Sequence, residues 1–372
     1  MLPVNILHII GGGEIGGAEQ HVLTLLGGLD KTRFAPHLVC LVSGPFAALA
    51  QEQNIPTETI PMRFSLDLSP LPGLLRLIRQ KEIRLVHTHG SRANLLGRLA
   101  AKRAEVPCVS TVHSSLAHDY LSAQAARLAL ALDRRTLSLT AEVITVSEYL
   151  ADEVASRYGR RPITVYNGQV PLPLGDPGSA RRQFRSRWAI PADAILLGTI
   201  GRLHPAKGHT YFIRAAARLL AAFPNLHLLL IGDGPRRQEL ESELKSSLVP
   251  YTLTGYLPQA WQALPAMDLF VLPSVSEGMG LVLLEAMQAG IPIVASAAGG
   301  IPEIVRHEKD GLLAAPENVD ELSAACARLL VDPGLARALA ESAQNRRTSF
   351  SLTNMLQQTE QIYTRLISDP PL

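Results

Sequence analysis

The chain has 372 residues, 47% of them apolar and 18% charged, with a formal net charge of +2. That length favours two domains over one, the apolar content excludes a disordered chain, and the near-neutral charge gives no global attraction to nucleic acid. Cys40, Cys108 and Cys326 are far apart, form neither a disulfide framework nor a zinc spacing, and fit a reducing cytosol.

The opening run MLPVNILHII lacks the basic leader and cleavage site of a signal peptide. No apolar run approaches the roughly 20 residues of a membrane span, so a soluble or peripheral cytoplasmic protein is expected. Residues 4–10 (VNILHII) are predicted as the first strand, and GGGEIGGAE (11–19) as a turn into a helix over 18–29. Gly16 and Gly17 let backbone approach a ligand, and the helix start offers N–H groups to an anion; a glycine-rich turn without ligand is the alternative. No acidic residue caps the next strand, HLVCLV (37–42), which weakens a dehydrogenase reading.

Strands follow at 83–88, 108–112, 142–147 and 163–166, with helical spacing between most of them, for example over 93–104. His87, His89 and His113, in HTHGSRAN and TVHSS, fall near strand ends on one edge of this sheet. They show no recognised metal-ligand spacing, so no metal is expected, and His113 is read as a neutral group facing a substrate or as a structural histidine. Basic clusters at 74–84 and 181–187 read either as solvated helix faces or as a surface for anionic lipid or an acidic ligand.

The Pro/Gly-rich stretch 167–179 is the best linker in the chain. Beyond it the alternation restarts with strands at 195–201, 226–232, 251–255, 269–273 and 291–296, and helices over 209–223, from Pro235, and over 318–332 and 352–367. Continuous apolar strands alternating with helices imply parallel sheets covered on both faces, and ligands in such folds gather at the carboxyl ends of the strands. GRLHPAKGH (201–209) sets Arg202 and Lys207 on one such loop, as a diphosphate clamp or as solvated cations. SVSEGMGLVLLEAMQAG (274–290) carries Glu277 and Glu285 around a helix start near Leu281, with the backbone N–H groups of Met279, Gly280 and Leu281 facing any ligand. Buried carboxylates need partners, and sugar and ribose hydroxyls are suitable ones. SAAGGIPEIV (296–305) adds one more glycine-rich strand-end loop.

Glu277 and Glu285 in an E-x7-E pattern, with GGAE, H-x-H, TVH, VYNG and GRL…KG in the same order, resemble the retaining family 4 glycosyltransferases (glycosyl transferases group 1) over nearly the whole chain. The resemblance implies an α/β GT-B fold: two Rossmann-like domains facing a central cleft. The first spans 1–168, with a C-terminal helix (about 352–372) packing back on it, and takes the acceptor; the second, 169–351, binds a UDP- or GDP-sugar. It further implies that Arg202 and Lys207 neutralise the diphosphate and that Glu285 holds the ribose. Glu277, Gly278, Met279, Gly280 and Leu281 position sugar and phosphate, Gly16 and Gly17 close over the phosphates, His113 meets the transferred sugar, and Asn167 lines the cleft. The catalytic set is then His113, Glu277, Arg202 and Lys207, with retention of anomeric configuration and no metal or cofactor; no Asp-x-Asp is present. The acceptor is expected to be a glycan or lipid-linked hydroxyl in surface polysaccharide or lipopolysaccharide assembly, with peripheral contact to the anionic inner leaflet and no nucleic acid. A sugar-nucleotide epimerase on the same scaffold and a non-catalytic nucleotide-sugar-binding subunit are the alternatives.

Overall fold

The computed structural model describes residues 2–64, 66–117 and 122–368. They fold as two units, Met1–Gly168 with Ser351–Leu372, and Gln169–Phe350. The first unit contains β1 (Val4–Ile10), β2 (Phe34–Cys40), β3 (Thr57–Thr59), β4 (Leu85–His89), β5 (Cys108–Val112), β6 (Glu142–Thr145) and β7 (Ile163–Thr164). They form one parallel sheet in the order β3-β2-β1-β4-β5-β6-β7. The second unit contains β8 (Ile195–Ile200), β9 (Leu226–Ile231), β10 (Tyr251–Leu253), β11 (Leu269–Leu272), β12 (Ile293–Ser296) and β13 (Leu312–Ala314). These are also parallel, in the order β10-β9-β8-β11-β12-β13.

Burial on both faces explains the strand sequences. In β1, Ile6 and Ile10 pack with helix Gly17–Gly28, whereas Leu7 and Ile9 pack on the opposite face with Leu74, Leu96 and Ala100. A strand covered on both sides has no use for polar alternation, so VNILHII reads as one apolar run. The terminal helix Leu352–Ser368 belongs to the first unit, where Met355, Ile362, Tyr363 and Leu366 join the core of Ile6, Phe34 and Val109. Residues 369–372 of the C-terminal segment lie outside the described residues. In the second unit Leu197, Leu228 and Val271 pack with Phe212 of helix His209–Leu219 and Leu322 of helix Val319–Val331.

Strands β3 and β13 fall outside the sequence-predicted set; at three residues each they are too short to show a period. The basic cluster 181–187 differs more instructively. It lies on helix Pro177–Arg187, and only part of it is surface. Arg185 is 4% exposed and donates to the carbonyls of Pro191, Ala192, Ala194 and Ala266 as well as to Asp268 at 2.9 Å. Arg181 reaches the other oxygen of Asp268 at 2.7 Å, and Asp268 also accepts from the N–H of Leu196 at the start of β8. The reading of 181–187 as a solvated face therefore holds only for the exposed Arg182 and Arg187, and is corrected for Arg185 and the half-buried Arg181, which fasten the helix to the sheet. Removing the carboxylate would leave a buried guanidinium without its charge partner. Asp268→Asn should cost about 3 kcal/mol in urea unfolding, and a loss below about 0.5 kcal/mol would return the cluster to the surface class.

Candidate active site

Strand order reverses at one place in each sheet, between β1 and β4 in the first unit and between β8 and β11 in the second. Crossover helices leave such a switch point in opposite directions, so the strand-end loops there stay open to a ligand. The loops after β1, β8 and β11 carry the glycine-rich, Arg202/Lys207 and Glu277 motifs.

In the second unit the loop after β8 is drawn tightly against the end of β11. The N–H groups of Val275 and Ser276 donate to the Ala206 carbonyl at 2.8 and 3.2 Å. Gly208 has φ +64, and a Cβ there would lie 2.0 Å from the Pro273 carbonyl oxygen, so only glycine allows this approach. Lys207 Nζ consequently sits 2.5 Å from Glu277 Oε1, which also accepts from Ser274 Oγ at 2.9 Å. On another side, the Gly300 N–H donates to the Glu277 carbonyl at 3.1 Å, and a Cβ on Gly299 (φ +55) would lie 2.0 Å from that same oxygen. The buried charge of Glu277 thus has a cation, a hydroxyl and a packed backbone around it.

Gly278 and Met279 are buried and Gly280 half-buried, and helix Leu281–Ala289 starts without a side-chain cap. Its first-turn N–H groups and the positive end of its dipole form the anion-binding element of this half-site. Glu285 lies half-buried one turn further on. Burial pushes its carboxyl up to about 7, so near neutrality it is divided between acid and carboxylate. Arg202 is exposed on the same loop as Lys207.

The first unit contributes a different chemistry. Register aligns His8 of β1 with His87 of β4, and His89 of β4 with Thr111 of β5, all on the face covered by helices Gly17–Gly28 and Leu352–Ser368. His8 Nδ1 lies 3.2 Å from His89 Nε2, and His89 Nδ1 lies 3.1 Å from His113 Nε2. His87 meets the Tyr363 hydroxyl at 2.5 Å and Thr111 Oγ1 at 2.7 Å. His21, from helix Gly17–Gly28, packs edge-on against His113 at a ring separation of 4.8 Å. Asn167 is buried beside His21. Gly16 caps that helix, its N–H donating to Glu19 Oε2 at 3.1 Å, and Gly17 is its exposed first residue. The trios His8/His87/His89 and His21/His89/His113 each bring three imidazole nitrogens within 4.8 Å of one another. Sequence spacing concealed both trios, because the first joins two elements and the second three, and His8 and His21 lie in no motif. Ser274, three residues before Glu277 in the same motif, is a local partner that the spacing could have suggested, whereas Tyr363 is brought to His87 only by the packed fold.

Burial lowers all five histidines: His8 to about 3, His21 to about 4, and His87, His89 and His113 well below the usual value. Each is held neutral when folded but takes a proton when unfolded below about pH 6.5. The unfolded state therefore binds more protons, and stability falls as pH drops from about 6.5 towards the folded values. Thermal unfolding should lose stability steeply between about pH 6 and 4. His8→Gln should reduce that slope by about 1.4 kcal/mol per pH unit, one proton's share; an unchanged slope would mean that His8 is already charged in the fold.

The comparisons with known proteins agree along the chain. The family model described as "Glycosyltransferase Family 4" matches residues 15–169, and "Glycosyl transferases group 1" matches residues 180–346. A D-inositol 3-phosphate glycosyltransferase of Actinosynnema mirum is 30% identical over 337 residues, 84% of this chain and 78% of the relative. The Escherichia coli UDP-Gal:alpha-D-GlcNAc-diphosphoundecaprenol alpha-1,3-galactosyltransferase is 25% identical over 390 residues, 98% of this chain and 97% of that protein. Among solved structures, Anabaena HepE in complex with UDP-glucose superposes with a TM-score of 0.86 at 24% identity, covering 97% of this chain and 100% of that one. At that identity the likeness speaks for the fold, which is of the GT-B type.

Proposed function

Since the chain belongs to the family 4 glycosyltransferases (glycosyl transferases group 1), we propose that it transfers a sugar, with retention at the anomeric carbon, from a nucleotide-diphosphate sugar to a lipid-linked hydroxyl acceptor. The reading is carried by Lys207, held against Glu277 beside the uncapped helix start at Gly280. A cation, orphan N–H groups and a helix dipole at one switch point suit a diphosphate, whose charge grows as the glycosidic bond breaks. Lys207 and Arg202 stabilise that leaving group, and the N–H groups of Gly280 and Leu281 take phosphate oxygens beside Gly278 and Met279. Glu277 accepts from sugar hydroxyls. Glu285 accepts from the ribose in its ionised form. On the first unit the neutral imidazole of His113 suits a sugar hydroxyl, with Asn167 beside its neighbour His21, and the turn at Gly16 and Gly17 offers backbone N–H groups to an anion. The departing diphosphate oxygen takes the acceptor proton on the face from which it leaves, so no protein nucleophile and no metal is required.

A nucleotide-sugar screen by thermal shift identifies the donor, because a bound ligand stabilises by mass action. With that donor, Lys207→Ala should weaken nucleotide-diphosphate binding by about 1.5–3 kcal/mol. Because Glu285 must ionise to accept two hydroxyls, wild-type affinity should rise between pH 6 and 8 and that rise should vanish in Glu285→Gln. A product of inverted configuration would overturn retention, and isomerised nucleotide sugar formed without acceptor would overturn the transferase reading.

The acceptor assignment draws on the Escherichia coli relative, whose name specifies a diphosphoundecaprenol-linked acceptor, and on one surface. Asp67 accepts from the N–H groups of Arg63 at 2.9 Å and Ser69 at 2.8 Å, organising a turn that leaves Phe64 65% exposed with Leu66 and Leu68 beside it. Arg63, Arg76, Arg79, Lys81 and Arg84 are exposed in and after this turn. Apolar tips flanked by cations suit the anionic inner face of the cytoplasmic membrane. Binding to phosphatidylglycerol vesicles should be salt-sensitive and at least about tenfold weaker in Phe64→Ser/Leu66→Ser; failure to sediment with anionic vesicles at low salt would remove the membrane from this reading.

A further inference from the structure

The proposed transfer draws on only one imidazole, His113, of the five gathered in the first unit. We infer that His21, His89 and His113 form a binding site for one divalent transition-metal ion of the zinc class. Two nitrogens bound to tetrahedral zinc at about 2.0–2.1 Å lie roughly 3.3–3.4 Å apart, which puts ring centres about 5 Å apart. His89 Nδ1 and His113 Nε2 are separated by 3.1 Å, and the three ring separations are 4.8, 5.4 and 5.9 Å. Among the described residues, Nδ1 of the buried His21 has no hydrogen-bond partner. Three ligands from a helix, a strand and a strand-end loop make up an all-imidazole set of the kind zinc accepts, and His113 is half-buried where His21 and His89 are buried.

A second layer supports this set. His89 Nε2 faces His8 Nδ1 at 3.2 Å, so a proton on His89 Nε2 donated to His8 leaves Nδ1 as the lone pair for the metal. The companion trio is less suited. Both nitrogens of His87 are engaged, by Tyr363 and Thr111, and His8, His87 and His89 are all fully enclosed.

Chelator-treated full-length protein titrated with Co2+ should bind one ion per chain, with the intense visible absorption of a tetrahedral site, and release it to Zn2+. In the wild type the imidazole proton resonances of His21, His89 and His113 should be shifted by the paramagnetic ion. His21→Gln and His113→Gln should each weaken uptake at least tenfold, and His87→Gln should leave it unchanged, with near-ultraviolet circular dichroism verifying each fold. The absence of stoichiometric binding by the wild type at micromolar Co2+ overturns the site. So does uptake that survives His21→Gln and is lost in His87→Gln.

Discussion

Parallel strands cannot be joined by tight turns, and this constraint organises the molecule. Consecutive parallel strands are linked by crossovers, so a helix that follows a strand begins at the carboxyl edge of its sheet, and the central strands are covered on both faces. Where the order turns outward from β1 to β4, and from β8 to β11, consecutive helices go to opposite faces and the loops at that edge are left without a cover. The chemistry collects there because the topology leaves backbone N–H groups unspent at those positions. Gly208 and Gly299 then allow the loops to close to distances a Cβ would forbid, and this close approach sets Lys207 against Glu277.

The two units answer the problem of buried polarity differently. In the second, Glu277 keeps its place through a cation and a hydroxyl, whereas Glu285, lacking such compensation, shifts towards its neutral form. In the first, five imidazoles are packed together, and desolvation combined with mutual repulsion keeps them uncharged. Neutral imidazoles can each give and take one hydrogen bond, which lets a chain such as His8–His89–His113 exist inside an apolar sheet face. Acid undoes this arrangement because charge would have to enter the same dry volume.

Arg185 illustrates how composition misleads. RRQFRSR looks like a charged surface, yet one arginine carries its guanidinium into a nest of carbonyls and shares Asp268 with Arg181. Its type does not separate it from the exposed Arg182 and Arg187, since its charge partner Asp268 lies 83 residues away. The turn at Asp67 is the opposite case: its apolar residues remain outside, against the usual rule, because the carboxylate bonds the backbone around itself.

The sequence by itself determined the α/β class, most strand positions and the motif loops, because a doubly covered parallel strand writes its burial as a continuous apolar run and a strand-end turn writes its geometry in glycine. It also placed Glu277 and Glu285 at a helix start, since helix Leu281–Ala289 opens at the glycine where the apolar period begins. Only the tertiary structure decided which charges meet. The Lys207–Glu277 pair spans 70 residues, the His87–Tyr363 bond spans 276, and His8 and His21 join the cluster without any local signal. Periodicity and propensity act over a few residues, whereas electrostatic and hydrogen-bonding partners are chosen by which strands lie side by side, and that is settled when the sheet forms.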